Sequence, residues 1–429
     1  MGKSLRLAHI VRNMKFGFKH TLVACCLGYV VQAIINNFSP LLYALFAAEL
    51  GISLSRISIL ITVNFTIQIC MDLSGTFFID KIGYRASVIL ANLCAVLGFT
   101  SLGILPTLMS DKFVALLIST AISAVGGGLL EVVVSPIVEA MPKEEGFSMS
   151  FLHSFYCWGH AGVILLSTLF FALFSIDSWS TLALIWCVVP LLSGLLFIFV
   201  PVRGLKSEGS AAGSIRYLFT KRQFWLLMAV MLAAGASELA MAQWASYFAE
   251  EGLGVSKSIG DLLGPCAFAV AMGTTRLLFG IFGKSLKIER CLTASFALCV
   301  LSYLLTALSP IPALSLLGCA VSGVAVAILW PGAYTLGSEI LPRGGTPMFA
   351  LFALAGDLGC AAGPSLIGLI SDGVTSGAIG HFSGGDLYSV GIKLGVLAAT
   401  IFPLVAGVVC LALIRFCKNA RTKNPQIQD

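Results

Sequence analysis

Long apolar stretches follow one another along the chain, and short polar segments separate them. A helix needs about 20 apolar residues to cross the hydrocarbon core of a bilayer. Helices are predicted rather than barrel strands, because barrel strands would be about 10 residues long and would alternate in polarity. The pattern predicts twelve membrane-spanning helices, numbered here as spans 1 to 12 in chain order: 20–49, 56–79, 85–107, 113–140, 147–174, 179–201, 222–249, 258–282, 289–308, 312–340, 346–371 and 385–416.

The composition agrees with this pattern. Of the 429 residues, 58% are hydrophobic and 11% are charged, whereas a soluble domain carries about 25% charged residues. One soluble domain of this length would have more apolar surface than a single core could bury. A soluble enzyme, a disordered chain and a nucleic-acid-binding module are therefore excluded, and an all-α polytopic membrane protein is predicted.

The basic residues predict the orientation in the membrane. Of the 26 lysines and arginines, 21 lie in the N-terminal segment, in segments that follow even-numbered spans, or at the adjoining span ends. The positive-inside rule then places both termini in the cytoplasm, in a multi-pass protein of the plasma or inner membrane. The net charge of +6 follows from this asymmetry, so no nucleic-acid partner is expected. Lipid-headgroup binding is an alternative role for the basic N-terminal segment.

Neither a signal peptide nor a disulfide framework is predicted. The first apolar run begins near His20 and is too long for the core of a cleavable signal, so it should remain as span 1. The 13 cysteines lie in spans or at their ends, and no cysteine–histidine cluster has metal-ligand spacing. We interpret the cysteines as packing residues, and no metal or cofactor is expected.

The two halves of the chain share a register shifted by 200 residues. Gly83 corresponds to Gly283, and the segment 139–142 (Glu-Ala-Met-Pro) corresponds to 339–342 (Glu-Ile-Leu-Pro). Equivalent spans run in the same direction, which is typical of two six-helix bundles related by an axis normal to the membrane. The predicted domains are an N-terminal bundle at 1–201, a cytoplasmic linker at 202–221 and a C-terminal bundle at 222–429.

The loop after span 2 carries a specific resemblance. The segment 72–85 reads Asp-Leu-Ser-Gly-Thr-Phe-Phe-Ile-Asp-Lys-Ile-Gly-Tyr-Arg, and it resembles the loop signature of the major facilitator superfamily, an Asp-basic-x-Gly-x-basic turn. It departs from the signature at Thr76, where the family usually has glycine. A degraded copy surrounds Arg276. The resemblance implies the major facilitator fold, with a cavity between two bundles that opens to alternate sides. It also implies a monomeric transporter, since members of the superfamily are mostly monomers.

A few polar side chains interrupt the predicted spans. An ionisable group at the middle of a bilayer costs about 2.5–3.5 kcal/mol on insertion scales, so such groups are usually buried and functional. The candidates for substrate binding are Asn36, Asn37, Glu131, His153, Tyr156, Glu238, Gln243 and Trp244. The candidates for proton coupling are Glu131, Glu238 and Asp357.

Each candidate also has a structural interpretation. Glu131 follows three glycines, which allow close helix approach, and it either carries a proton, accepts from a substrate hydroxyl or bonds a neighbouring helix. His153, Tyr156 and His160 share one face of span 5. There a histidine could pair with a carboxylate of an adjacent helix, or all three could be packing residues. Asp357 lies among glycines and either caps broken backbone or binds a cation.

Charged residues at the cytoplasmic ends of helices form a candidate gate. This set consists of Asp72, Asp80, Lys81, Arg85 and Arg276. Charges at helix ends pair across loops or meet helix dipoles, and the resemblance assigns this loop to the cytoplasmic gate. The alternative is an ordinary solvated helix terminus. Arg276 and Lys393 lie near span ends, so no central basic residue is expected to pair with an anionic substrate.

Within the superfamily, the chain is most similar to the fucose permease-like sugar symporters. The segment 128–136 (Gly-Leu-Leu-Glu-Val-Val-Val-Ser-Pro) resembles their span 4, and His153 and Tyr156 fall where they carry sugar-binding amides. Their essential span 1 aspartate corresponds to Pro40 here. The resemblance implies a secondary transporter that moves a small polar solute, such as a sugar, by proton symport.

Three rival functions are considered, and two of them have sequence requirements of their own. A proton-driven drug or metabolite antiporter of the superfamily usually has Gly-Pro-x-x-Gly-Gly in span 5, where this chain has Gly-His-Ala-Gly at 159–162. A non-transporting nutrient sensor would have almost the same sequence. An enzyme is not expected, because the motifs of intramembrane proteases and the ATP-binding loop Gly-x-x-x-x-Gly-Lys-[Ser/Thr] are absent from the sequence. The coupling ion, the direction of transport and the substrate stay open.

Overall fold

Twelve helical spans make up the protein. The computed structural model describes residues 16–141, 149–203, 212–282, 286–341, 345–380 and 386–423. Within these ranges, twelve spans are long and apolar enough to cross a membrane, which confirms the predicted number. They run Phe18–Ala48, Leu54–Ser74, Tyr84–Leu108, Lys112–Val138, Leu152–Phe174, Ile176–Phe199, Arg222–Gly252, Lys257–Phe279, Ile288–Leu308, Pro312–Ile340, Leu351–Thr375 and Leu387–Ile414.

Several spans consist of more than one helix. Span 1 changes to a 3₁₀ turn at Ser39–Leu42, and span 8 contains a π-helical turn at Leu262–Cys266. Each break contains a proline, which has no backbone N–H to donate. The α-helices are Phe18–Asn37, Tyr43–Ala48, Leu54–Ile82, Tyr84–Leu108, Lys112–Glu139, Met149–Phe174, Trp179–Trp186, Val188–Phe199, Ala212–Phe219, Arg222–Tyr247, Lys257–Asp261, Ala267–Phe282, Ile288–Leu308, Pro312–Val326, Leu329–Ile340, Gly345–Thr375, Leu387–Ala399 and Ile401–Lys423.

The predicted linker contains a short helix. Ala212–Phe219 lies within 202–221 and precedes span 7. Residues 204–211 of the linker lie outside the described residues. The division of the chain into two domains at this segment stays a prediction.

The two halves of the chain meet along spans 1 and 7, 2 and 11, and 5 and 8. We call the membrane face with the span 1–2 loop (49–53) face A, and the face where spans 2 and 3 meet at Gly83 face B. Near face A, the hydroxyl groups of Thr62 and Ser365 lie 2.6 Å apart across the halves. The Tyr43 hydroxyl donates to Gln243 Oε1 at 3.1 Å. Tyr43 and Gln243 are equivalent positions in the 200-residue repeat, and equivalent residues that touch must lie close to the axis that relates them.

Spans 7 and 11 approach each other through glycines. A Cβ atom added at Gly359 would overlap the carbonyl oxygen of Leu232, and one added at Gly363 would overlap that of Ala236. Only residues without a side chain allow two helices to pack this closely.

We expect Gly359→Ala to destabilise the protein, although alanine favours a helix by about 1 kcal/mol over glycine. The new methyl group would push the backbones of spans 7 and 11 apart, and such overpacking costs about 1–3 kcal/mol. Thermal unfolding in detergent measures the change. Gly162→Ala is the matched control, since a Cβ atom there meets nothing within 4 Å. Equal melting temperatures for wild type and Gly359→Ala would contradict this packing.

Candidate functional site

An amide network centred on Asn36 connects the two halves. Asn36 Oδ1 accepts from Asn64 Nδ2 at 3.1 Å and from Gln68 Nε2 at 3.0 Å. Asn36 Nδ2 donates to the Tyr156 hydroxyl at 3.5 Å, and the Asn36 carbonyl accepts from Gln243 Nε2 at 2.9 Å. Asn36 therefore links spans 1, 2, 5 and 7 near the middle of the bundle.

Two other predicted binding residues make local contacts instead. Asn37 Nδ2 donates to the Ala33 carbonyl of its own helix at 2.9 Å. Trp244 is fully buried, donates to the Pro364 carbonyl at 2.9 Å, and packs against the Tyr43 ring. Trp244 therefore ties span 7 to span 11, whereas Asn37 bonds within span 1 and also lies in hydrogen-bond reach of the Tyr156 hydroxyl.

Glu131 bonds an amide on span 1. Glu131 Oε2 accepts from Gln32 Nε2 at 2.7 Å. One turn further along span 4, the hydroxyl groups of Ser135 and Tyr29 lie 2.8 Å apart. The His153 ring packs on Tyr29, with centroids 5.0 Å apart. The partner that the structure gives Glu131 is thus an amide, and His153 contacts a phenol ring instead of the carboxylate that the sequence suggested.

Arg276 and Glu238 form an ion pair inside the bundle. Arg276 Nη2 lies 3.2 Å from Glu238 Oε2, and the two side chains are 22% and 9% exposed. Arg276 Nε donates to the Ala327 carbonyl at 2.9 Å, and Nη1 donates to Cys157 Sγ of span 5 at 3.3 Å. The sequence placed Arg276 at the end of span 8 and expected no central basic group. Arg276 does lie close to the end of span 8 at Phe279, but the expectation of no central basic group was wrong, because its long side chain reaches Glu238 halfway along span 7.

Asp72 and Asp357 meet between spans 2 and 11. Their carboxyl groups are in hydrogen-bond contact, and Glu131 lies close enough to act on both. Asp72 was predicted at a cytoplasmic helix end, and it lies close to the end of span 2 at Ser74, although the helix itself continues to Ile82. Its carboxyl group faces the opposite half instead of a loop, and its gate role stays a prediction.

Comparisons with known proteins identify the family. The description "Major Facilitator Superfamily" belongs to the family profile that matches residues 24–364. The chain belongs to the major facilitator superfamily. It is a membrane transporter and not an enzyme. No curated protein sequence matches the chain.

Solved superfamily structures share this fold. A bacterial homologue of the human lysosomal transporter Spinster has a TM-score of 0.74 at 16% identity, over 94% of this chain and 98% of that chain. A variant of the nucleoside transporter NupG has a TM-score of 0.73 at 11% identity, over 92% and 99% of the two chains. A D-xylose–proton symporter has a TM-score of 0.66 at 18% identity, over 90% and 97%. At these identities the likeness shows the fold alone.

In the loop after span 2 that resembles the superfamily signature, Arg85 makes its hydrogen bonds to the same half of the chain. Arg85 donates to the final carbonyl groups of span 6 at 2.6–2.8 Å, at Phe197, Ile198 and Val200. These carbonyls lack helical partners, so the guanidinium group caps the helix. Lys81 is exposed, and the side chain of Asp80 lies outside the described residues. The gate role of this set stays a prediction.

His160 packs between the halves. It is 2% exposed, and its ring centroid lies 6.3 Å from that of Phe268 on span 8. The neighbouring Gly159 allows span 1 to approach, since an added Cβ atom would lie 3.1 Å from Val30 Cα. These contacts match the packing interpretation of His160.

Three amides of the site were not predicted from the sequence: Gln32, Asn64 and Gln68. Each lies four residues from another amide on the same span: Gln32 from Asn36, and Asn64 from Gln68. Residues four apart share one helix face, and two such faces in adjacent spans indicate a polar seam. This spacing was the available signal.

Proposed function

We propose that the protein is a proton-coupled symporter of a small, uncharged polar solute, such as a sugar. The Arg276–Glu238 pair carries this proposal. The guanidinium group can donate and the carboxylate can accept, while the net charge of the pair is zero. Asn36 and Tyr156 add an amide and a phenol from the other half. A hydroxylated neutral solute satisfies such groups without adding an unpaired charge.

The cross-half position of this site supports alternating access. Asn36 and Tyr156 belong to the N-terminal half, and Glu238 and Arg276 belong to the C-terminal half. A solute held between the halves can be released to either face when they rock against each other. The contacts near face A would then break as face A opens. With face B in the cytoplasm, as the basic residues predict, the contacts near face A close the outer side.

Named transporters of the same fold support the solute class. Two of the solved neighbours are a nucleoside transporter and a D-xylose–proton symporter. Both solutes are neutral and rich in hydroxyl groups. Glu131, with one oxygen on Gln32, is the proposed proton carrier in this chain, as the resemblance to the fucose permease-like symporters implies.

A thermal-shift screen of the purified protein tests the solute class. Neutral sugars and nucleosides are compared with uronic acids, amino acids and cationic drugs. A ligand present at about 100 times its Kd stabilises the folded state by about 2.7 kcal/mol. We expect a shift with a neutral hydroxylated solute, and counterflow of that solute in reconstituted vesicles. A shift with uronic acids or drugs alone would contradict the proposal, and binding without flux would favour the sensor.

A further inference from the structure

A second polar site lies apart from the Arg276–Glu238 pair. The carboxyl groups of Asp72 (span 2) and Asp357 (span 11) are in hydrogen-bond contact across the two halves. The remaining oxygens, Asp72 Oδ1 and Asp357 Oδ2, are buried without a partner among the described contacts. Asp357 is 7% exposed. The pair lies on the same seam as the Thr62–Ser365 contact.

The groups that face this pair are acidic or neutral. Glu131 approaches from span 4 and Tyr334 from span 10, and Tyr29 of span 1 lies beyond them, next to Glu131 and Tyr334. An ionised carboxylate has acceptor oxygens only, so two carboxyl groups can hydrogen bond only when a proton lies between them. Two charged carboxylates in contact would also repel each other strongly in a medium of low dielectric constant.

A buried acceptor lies beside Glu131, the third acid of this cluster. Gln32 is 4% exposed, its Nε2 donates to Glu131, and its Oε1 has no partner among the described contacts. An unpaired buried carbonyl oxygen is costly. A protonated Glu131 would supply the O–H donor that this oxygen lacks, so a proton on Glu131 also suits the surroundings of the pair.

We propose that Asp72 and Asp357 form a proton-binding site that is complete only while spans 2 and 11 are together. The site rests on the proposed proton-coupled transport and adds a second place where a proton binds. A proton that enters from solvent bonds to one carboxylate oxygen and is shared with the other. Its release leaves two carboxylates, whose repulsion separates spans 2 and 11. Proton binding thus favours one arrangement of the halves over the other.

The test follows the distance between the halves as the pH changes and needs no substrate. Fluorophores are placed by non-natural amino acids at Ile82 and Ser338, which are exposed toward face B on opposite halves. We expect the wild-type distance to change with pH. We expect Asp72→Asn and Asp357→Asn to lose this response, because asparagine stays neutral at every pH. Asp111→Asn is the control, since Asp111 is an exposed helix N-cap and asparagine caps a helix as well as aspartate does.

A wild-type pH response that persists in both asparagine variants would overturn the site, and so would a distance change driven by sodium at constant pH. Asp72→Glu, which keeps a carboxyl group, should keep the response and shows whether the position tolerates change. Failure of the solute screen would overturn the proposed function but leave this measurement standing. A normal solute shift together with pH-insensitive wild-type distances would overturn only the proton site.

Discussion

The Glu131→Gln variant is expected to lose proton-driven accumulation of solute while it still exchanges solute across the membrane. Glutamine has the size of glutamate and can keep a hydrogen bond to Gln32, so the helices should stay in place. It cannot take up or release a proton in the physiological range. The expected change is therefore in coupling and not in folding or binding.

Vesicles with an imposed pH gradient measure this loss. A gradient of one pH unit supplies about 1.4 kcal/mol per proton, which supports about tenfold accumulation of solute at a stoichiometry of one. We expect a ratio near tenfold for wild type and near one for Glu131→Gln, with equal counterflow rates. Glu49→Gln, at an exposed position near face A, is the control and should match wild type. Tenfold accumulation by Glu131→Gln would remove Glu131 from the coupling mechanism.

The Arg276→Met variant is expected to lose both stability and solute binding. It removes the only opposite charge that pairs with Glu238 among the residues that the structure describes, and an uncompensated buried charge costs about 3–5 kcal/mol. The double variant Arg276→Met/Glu238→Gln removes both charges. We expect it to recover much of the stability, because the remaining amide is neutral, but not the binding.

Thermal unfolding with and without the solute from the screen separates the two effects. A structural ion pair alone would restore binding in the stable double variant, whereas a binding site would not. Arg276→Lys is a further comparison, since lysine keeps the charge but not the planar fork of donors. Wild-type affinity in the double variant would contradict the placement of the solute at this pair.

The fold could be predicted from the sequence because it follows mainly from the free-energy cost of unpaired backbone groups in lipid. Bare backbone groups in lipid have no partner, so every long apolar run must be a helix. The twelve runs and the twelve spans therefore agree to within a few residues at most ends. Breaks such as Ser39–Leu42 in span 1 also had a visible cause in Pro40.

Site residues could be predicted only where a single polar residue in an apolar span was a sufficient signal. Asn36 and Glu238 stand out as polar residues in apolar spans, and both lie at contacts between helices. The partner of Asp72 could not be predicted, because its contact with Asp357 depends on how spans 2 and 11 align, and the sequence of neither span gives that alignment. The partner of Arg276 was missed because the position of a Cα atom does not give the depth that a long side chain reaches.

Solute uptake into sealed vesicles under an imposed pH gradient measures whether this protein couples solute movement to protons. The solute is the neutral ligand found by thermal shift, and the exterior is made acidic by one pH unit. We expect accumulation to about ten times the external concentration, abolished by a protonophore. Equilibration to equal concentrations, unchanged by the gradient or the protonophore, would contradict proton-coupled transport by this protein.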